Sequence, residues 1–158
     1  MPIDPDTFRS VLGRFASGVT VVTTLDADGR DHGLTVSAFA SLSLTPPLVL
    51  VCIARDASVH AVLRDSSHFV VNLLSSSQEA LSRRFAGHAL DRFAGVGYSR
   101  GQSGVAVLDD VLAYIECRNA RQHDEGDHTI FVGEVEAAGT SETRALLYYR
   151  GGYATLER

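Results

Sequence analysis

Val111-Leu112-Ala113-Tyr114-Ile115-Glu116-Cys117-Arg118, then Glu125-Gly126-Asp127, then Thr129-Ile130-Phe131-Val132-Gly133-Glu134-Val135: this stretch decides the fold class. Val111, Ala113, Ile115 and Cys117 alternate with Leu112, Tyr114, Glu116 and Arg118. That period of two is how a strand turns one side to a core. Glu125-Gly126-Asp127 has turn chemistry, and residues 129–135 return as the second arm of a hairpin.

Working outward, Leu147-Tyr148-Tyr149 and Tyr153-Ala154-Thr155-Leu156 read as the last strands. Upstream, His68-Phe69-Val70-Val71-Asn72-Leu73-Leu74 and Leu48-Val49-Leu50-Val51-Cys52-Ile53 are apolar enough for buried strands, the second opened by Pro46-Pro47. Val19-Thr20-Val21-Val22-Thr23-Thr24 is dense in β-branched residues. Asp28-Gly29 marks a turn into a further strand ending at Val36. Asp4-Pro5 starts a helix whose Phe8, Val11, Leu12 and Phe15 give one face to dock on a core, with Gly18 as its stop. Ser58 caps a short helix through Leu63, and Ser77 caps another containing Leu81 and Phe85. Residues 87–106 hold five glycines and little periodicity, which reads as a long loop, of a length that tends to be functional or mobile. Six or seven strands with a few short helices favour an antiparallel barrel over a parallel sheet. No linker divides the chain, so one domain over 1–158 is expected.

The 158 residues are 45% hydrophobic and 21% charged, with net charge −5, an ordinary globular balance able to bury a core. The basic residues are scattered apart from Arg83-Arg84, whereas a polynucleotide partner needs a concentrated positive stripe. Nucleic acid is therefore excluded as a partner. Cys52 and Cys117 sit in apolar runs without CxxC or zinc spacing, and no HExxH occurs, so no metal is expected. The N-terminus has no signal-peptide pattern and no run of apolar residues is long enough for a membrane span. A cytoplasmic location, with no membrane partner, follows as the expectation.

Three segments carry candidate chemistry. Residues 33–43 crowd small hydroxyl side chains between two strands; composition alone favours a Ser-rich turn bonding its own backbone, with the polar edge of a flat heterocycle or a phosphate as the other reading. Ser82-Arg83-Arg84-Phe85-Ala86-Gly87 offers an Arg fork for phosphate, or a solvated helix end. Gly126-Asp127-His128 places an imidazole beside an acid at a hairpin, where it can bind a carboxamide or lie exposed on a turn. There is no GxGxxG after a strand, no P-loop and no GxSxG elbow.

Taken in order, these pieces resemble the short-chain flavin reductases, the reductase components of two-component flavin-dependent monooxygenases. The resemblance runs through Phe15-Ala16-Ser17-Gly18-Val19-Thr20-Val21-Val22-Thr23, Gly33-Leu34-Thr35-Val36-Ser37-Ala38-Phe39, Ser41-Leu42-Ser43-Leu44-Thr45-Pro46-Pro47-Leu48, Phe69-Val70-Val71-Asn72-Leu73-Leu74 and Arg84-Phe85-Ala86-Gly87. It closes on Gly126-Asp127-His128-Thr129-Ile130-Phe131-Val132-Gly133-Glu134-Val135 and Leu147-Tyr148-Tyr149-Arg150-Gly151-Gly152, so it spans nearly the whole chain.

The resemblance implies an antiparallel split β-barrel of the FMN-binding type and a homodimer with flavin near the subunit interface. It implies flavin contacts at Thr35, Val36, Ser37, Ala38 and Ser41, backbone contacts at Cys52, Ile53 and Ala54, and a phosphate neighbourhood at Ser58, Arg84 and Phe85. His128, Tyr149 and Arg150 would form the nicotinamide side, with His128 as the catalytic residue. Where many relatives carry Asn before that Ser, this chain has Val36, so backbone contacts would remain there. The expected activity is reduction of FMN or FAD by NADH or NADPH, with reduced flavin supplied to a partner monooxygenase. A non-catalytic flavin carrier or redox sensor on the same barrel is the alternative. An oxidase of pyridoxamine-phosphate type would want more phosphate-binding cations.

Overall fold

The computed structural model describes residues 1–157; position 158 of the expected domain lies outside them. The chain runs through α1 (Pro5–Leu12), β1 (Ser17–Gly18), β2 (Thr20–Leu25), β3 (Asp31–Val36), β4 (Phe39–Leu44), β5 (Pro47–Ala54), α2 (His60–Asp65) and β6 (His68–Leu73). It continues with α3 (Glu79–Ala86), β7 (Tyr98–Arg100), β8 (Ala106–Leu108), β9 (Ala113–Glu125), β10 (His128–Thr140), β11 (Leu146–Tyr149) and β12 (Gly152–Thr155).

Seven strands make one antiparallel sheet in the order β3-β2-β6-β9-β10-β5-β4. Its two edges, β3 and β4, are consecutive in the chain and separated only by Ser37 and Ala38. A sheet whose outer strands are joined by two residues must curl round until they approach each other. They do not pair, so the barrel stays open along that line. This is the split barrel, and its seam is the segment the sequence marks for flavin.

The barrel interior is filled by Val22, Val36, Val51, Ile53, Phe69, Val71, Cys117 and Phe131. Gly133 of β10 leaves room for Phe69 and Cys117: a Cβ there would lie 2.7 Å from the Phe69 ring and the Cys117 Cβ. A second core lies outside the barrel wall, where Val19, Val21 and Leu74 meet Phe85 of α3, Leu108 and Leu146. β2 is thus covered on both faces, which explains its continuous β-branched run where a half-exposed strand would alternate. Its threonine hydroxyls, which burial would otherwise strand, bond backbone oxygens: Thr20 to Val36 and Thr23 to Ala106, both at 2.6 Å.

Several sequence expectations change in detail. α1 is capped by Asp4, whose carboxylate accepts from Thr7 N–H at 3.0 Å, but it ends at Gly13 and not at Gly18. Its face does not dock: Phe8, Val11, Leu12 and Phe15 are all exposed, Phe15 at 83%. Ser58 does not cap α2, whose N-cap is Val59 with no side-chain bond. α3 begins after Gln78 and not Ser77. The Gln78 amide instead links Ser75 N–H to the Asp109 carbonyl. Residues 87–106 are not all loop, because β7 and β8 pair as a short hairpin from Tyr98↔Leu108 to Arg100↔Ala106. The Ser-rich segment is not a turn, for residues 39–44 form β4, an edge strand.

Candidate active site

The long β9–β10 hairpin closes through a two-residue loop, Gly126-Asp127, between Glu125 and His128. Gly126 takes φ +59 at the first loop position, where a type II′ turn calls for glycine. The tip is held against β5 by register, His128 opposite Ala54, Thr129 opposite Ile53 and Ile130 opposite Cys52. Arg55 N–H donates to the Asp127 carbonyl at 2.9 Å. On the other side of β5, Cys52 N–H donates to the Ala38 carbonyl at 2.9 Å. The seam, Cys52–Ala54 and His128 therefore occupy one end of the sheet, across roughly two strand spacings, about 10 Å. That is wide enough for a three-ring heterocycle to lie across.

Within the seam the residues divide by role. Ser37 and Ala38 are exposed, as is Ser41 on β4. Val36 is buried and faces the barrel core, so only its backbone can serve a ligand. Thr35 spends its hydroxyl on the Ser82 carbonyl at 2.6 Å, tying the seam to α3. Because β3 and β4 are the sheet's edges, they turn backbone N–H and C=O groups outward that can bond a polar ring edge, apart from the Gly33 carbonyl, which accepts from Arg92. The residues present fit a flavin. Ile53 is buried while Cys52 and Ala54 are half-buried, and burial raises the Cys52 thiol pKa, keeping it a neutral wall group.

At the hairpin tip, His128 Nδ1 lies 2.7 Å from Asp127 Oδ1. This bond holds the Asp127 carboxyl below its ordinary pKa. An ionised carboxylate only accepts, so Nδ1 carries the proton and a neutral ring leaves Nε2 as an acceptor.

Ser58 is exposed and lines an open groove of about 810 Å³ with Arg30, His32, His88, Arg92 and Tyr98. Arg84 does not present its fork to that groove. Its Nε donates to the Arg92 carbonyl at 2.6 Å, and Nη2 donates to the carbonyls of Asp91 and Ala94 at 3.1 and 2.7 Å. Only Nη1 is left for a phosphate. Phe85 is wholly buried, edge-on to Phe93 at 5.1 Å, so it supports the site from the core without touching a ligand.

Sequence reasoning missed Arg92, which donates to the carbonyls of Gly33 and Gly87 at 2.7 and 2.6 Å and pins the 88–93 loop onto β3. Nothing in the local pattern around Arg92 signals this. Tyr149 and Arg150 lie outside the seven-stranded sheet that carries His128. Tyr149 ends β11 in the separate sheet β1-β11-β12, and Arg150 lies in the turn to β12, where its N–H donates to the Gly13 carbonyl at 2.9 Å and its φ is +51. Among the described residues, no group of three His, Cys, Asp or Glu side chains is placed to hold a metal ion.

Residues 12–157 match the flavin reductase like domain family. The chain is 47% identical over 156 residues to a flavin reductase (NADH) of Kitasatospora aureofaciens, covering 96% of this chain and 82% of the relative. It is 41% identical over 158 residues to the reductase subunit HsaB of a flavin-dependent monooxygenase of Mycobacterium tuberculosis, covering 98% and 84%. An NADH:FAD oxidoreductase of Streptomyces globisporus, solved in complex with NAD and FAD fragments, superposes with a TM-score of 0.90 at 36% identity, covering 98% of this chain and 95% of that one. A barrel split at Thr35–Ala38, a histidine at the hairpin tip and this agreement along nearly the whole chain make the protein a member of the flavin reductase like domain family.

Proposed function

We propose that the protein is an NAD(P)H-dependent flavin reductase that reduces FMN or FAD and supplies reduced flavin to a partner monooxygenase. Flavin, when bound, would supply the redox chemistry, a two-electron couple matched to a reduced nicotinamide. The chain's own task is orientation. Ser37, Ala38, Ser41 and the unpaired edges of β3 and β4 hold the ring's polar edge. Cys52, Ile53 and Ala54 back it with main chain, and Ser58 and Arg84 Nη1 meet the phosphate. His128 Nε2 accepts from the nicotinamide carboxamide and is the residue we assign to the hydride-transfer step. Tyr149 and Arg150 are kept on the nicotinamide side from the family pattern. The observation that carries this reading is the placement of His128 opposite Ala54, on the strand next to the one that touches the seam.

We also propose that residues 1–158 work as one domain, as a homodimer in the cytoplasm. The exposed apolar face of α1, with Leu42 and Leu44 exposed on edge strand β4, supports the homodimer. No helix among the described residues is long and apolar enough to cross a membrane.

The test is anaerobic bleaching of FMN or FAD near ~450 nm, the oxidised-flavin band of the cofactor, with NADH and then NADPH. Rapid bleaching by catalytic protein, and product formation when a candidate monooxygenase is added, is the expected result. Bound flavin that stays yellow with both nucleotides would overturn the reading and leave a carrier or sensor.

A further inference from the structure

Behind the hairpin tip lies a buried polar network outside the candidate site's contact residues. His60, in the first turn of α2, is 8% exposed. Its Nε2 lies 2.8 Å from Thr129 Oγ1, and its ring stands edge-on to Phe131. Thr129 is wholly buried and follows His128 directly. Its hydroxyl donates to Asp124 Oδ1 at 2.7 Å. Arg64 Nη2 donates to the same Asp124 oxygen at 2.7 Å and to Thr129 Oγ1 at 3.3 Å.

A hydroxyl has one proton. Asp124 is held ionised by its bonds from Thr129 and Arg64 and accepts the hydrogen bond that this proton makes, so His60 must donate through Nε2–H. Burial, helped by the charge of Arg64, keeps His60 neutral and able to do so. α2 is tied to β9 as well, by Gln122 Nε2 to the Arg64 carbonyl and Asn119 Nδ2 to the carbonyls of Leu63 and Ser66.

Core packing alone does not call for this arrangement, because an apolar residue shaped like Thr129 would satisfy the same space. What buried polar networks add is a unique placement. The hairpin needs one. The β9–β10 register shifts between Val132 and Gly133 and again between Val135 and Ala137, and a slip of one residue would turn His128 to the other face.

Building on the reductase reading above, we propose that His60, acting through Thr129, is a positioning residue that fixes the tip of β10 and so presents His128 to the nicotinamide. The two histidines then have separate duties: one touches the ligand, and the other holds its strand.

The test is a double-mutant cycle of Thr129→Val with His128→Ala, read as nicotinamide KM and kcat together with flavin affinity by fluorescence quenching. Thr129→Val should raise nicotinamide KM about five- to tenfold, the worth of one net hydrogen bond. Flavin affinity should not change, Thr129→Ser should restore the wild-type value, and the effect should vanish in the His128→Ala background. Equal penalties with and without His128, or a folded Thr129→Val enzyme with unchanged nicotinamide kinetics, would overturn the proposal. If Thr129→Val does not fold, His60→Leu runs the same cycle, with His60→Gln as the donor-preserving rescue. His128→Ala leaving nicotinamide kinetics untouched would instead remove His128 from the proposed site, a separate failure.

Discussion

α1 and α3 are both eight residues long and both carry apolar residues at helical spacing. α3 lays Phe85 wholly inside the second core, against Val21 of β2 and Leu108 of β8, and buries Ser82 beside it. α1 buries nothing, and Phe8, Val11 and Leu12 stay exposed at 49%, 60% and 55%. The contrast separates two things that an amphipathic pattern merges: that a face seeks apolar cover, and which surface gives it. For α3 the cover comes from its own chain. For α1 the proposed second copy would provide it.

The largest effect expected from this contrast is at Phe85. Phe85→Ala should cost about 3–5 kcal/mol by removing a fully buried ring, read as a fall in the denaturant midpoint with little change in m. A loss below about 1 kcal/mol would mean that α3 is no better anchored than α1. Arg84→Gln comes next. It loses charge-assisted bonds to three carbonyls, so it should cost about 1.5–3 kcal/mol and speed proteolysis within residues 88–94. Protection equal to wild type would show that Arg92 alone holds that loop. The smallest effect on the single chain is at α1. Phe8→Ser with Leu12→Ser should change stability at high dilution by less than about 0.5 kcal/mol per site, yet remove its dependence on protein concentration. A large loss at all concentrations would mean that α1 docks on its own chain after all.

The candidate site divides in the same way. The seam and the hairpin tip are legible locally, because Thr35–Ala38 sits between strand signals and Gly126-Asp127-His128 is a turn. Arg84 shows the limit of local reading. An Arg at a helix end looks available for phosphate, yet its donors go to carbonyls seven to ten residues on, which only the path of the 88–94 loop determines. The Ser-rich segment fails similarly. Its composition says turn, while pairing with β5 from Phe39↔Val51 to Leu44↔Pro47 makes it a strand.

By itself, the sequence determined a β-rich antiparallel fold, the positions of most strands, the glycine at the hairpin tip and the family pattern that names flavin as the ligand. These are set by side-chain periodicity and backbone preference, which act between near neighbours. Only the tertiary structure decided that the barrel stays open at Ser37-Ala38, that Arg84 is spent on a loop and that His60 stands behind His128. Each of those rests on groups far apart in the chain, His60 and Thr129 being separated by 69 positions. Such partners meet only when the whole sheet has closed.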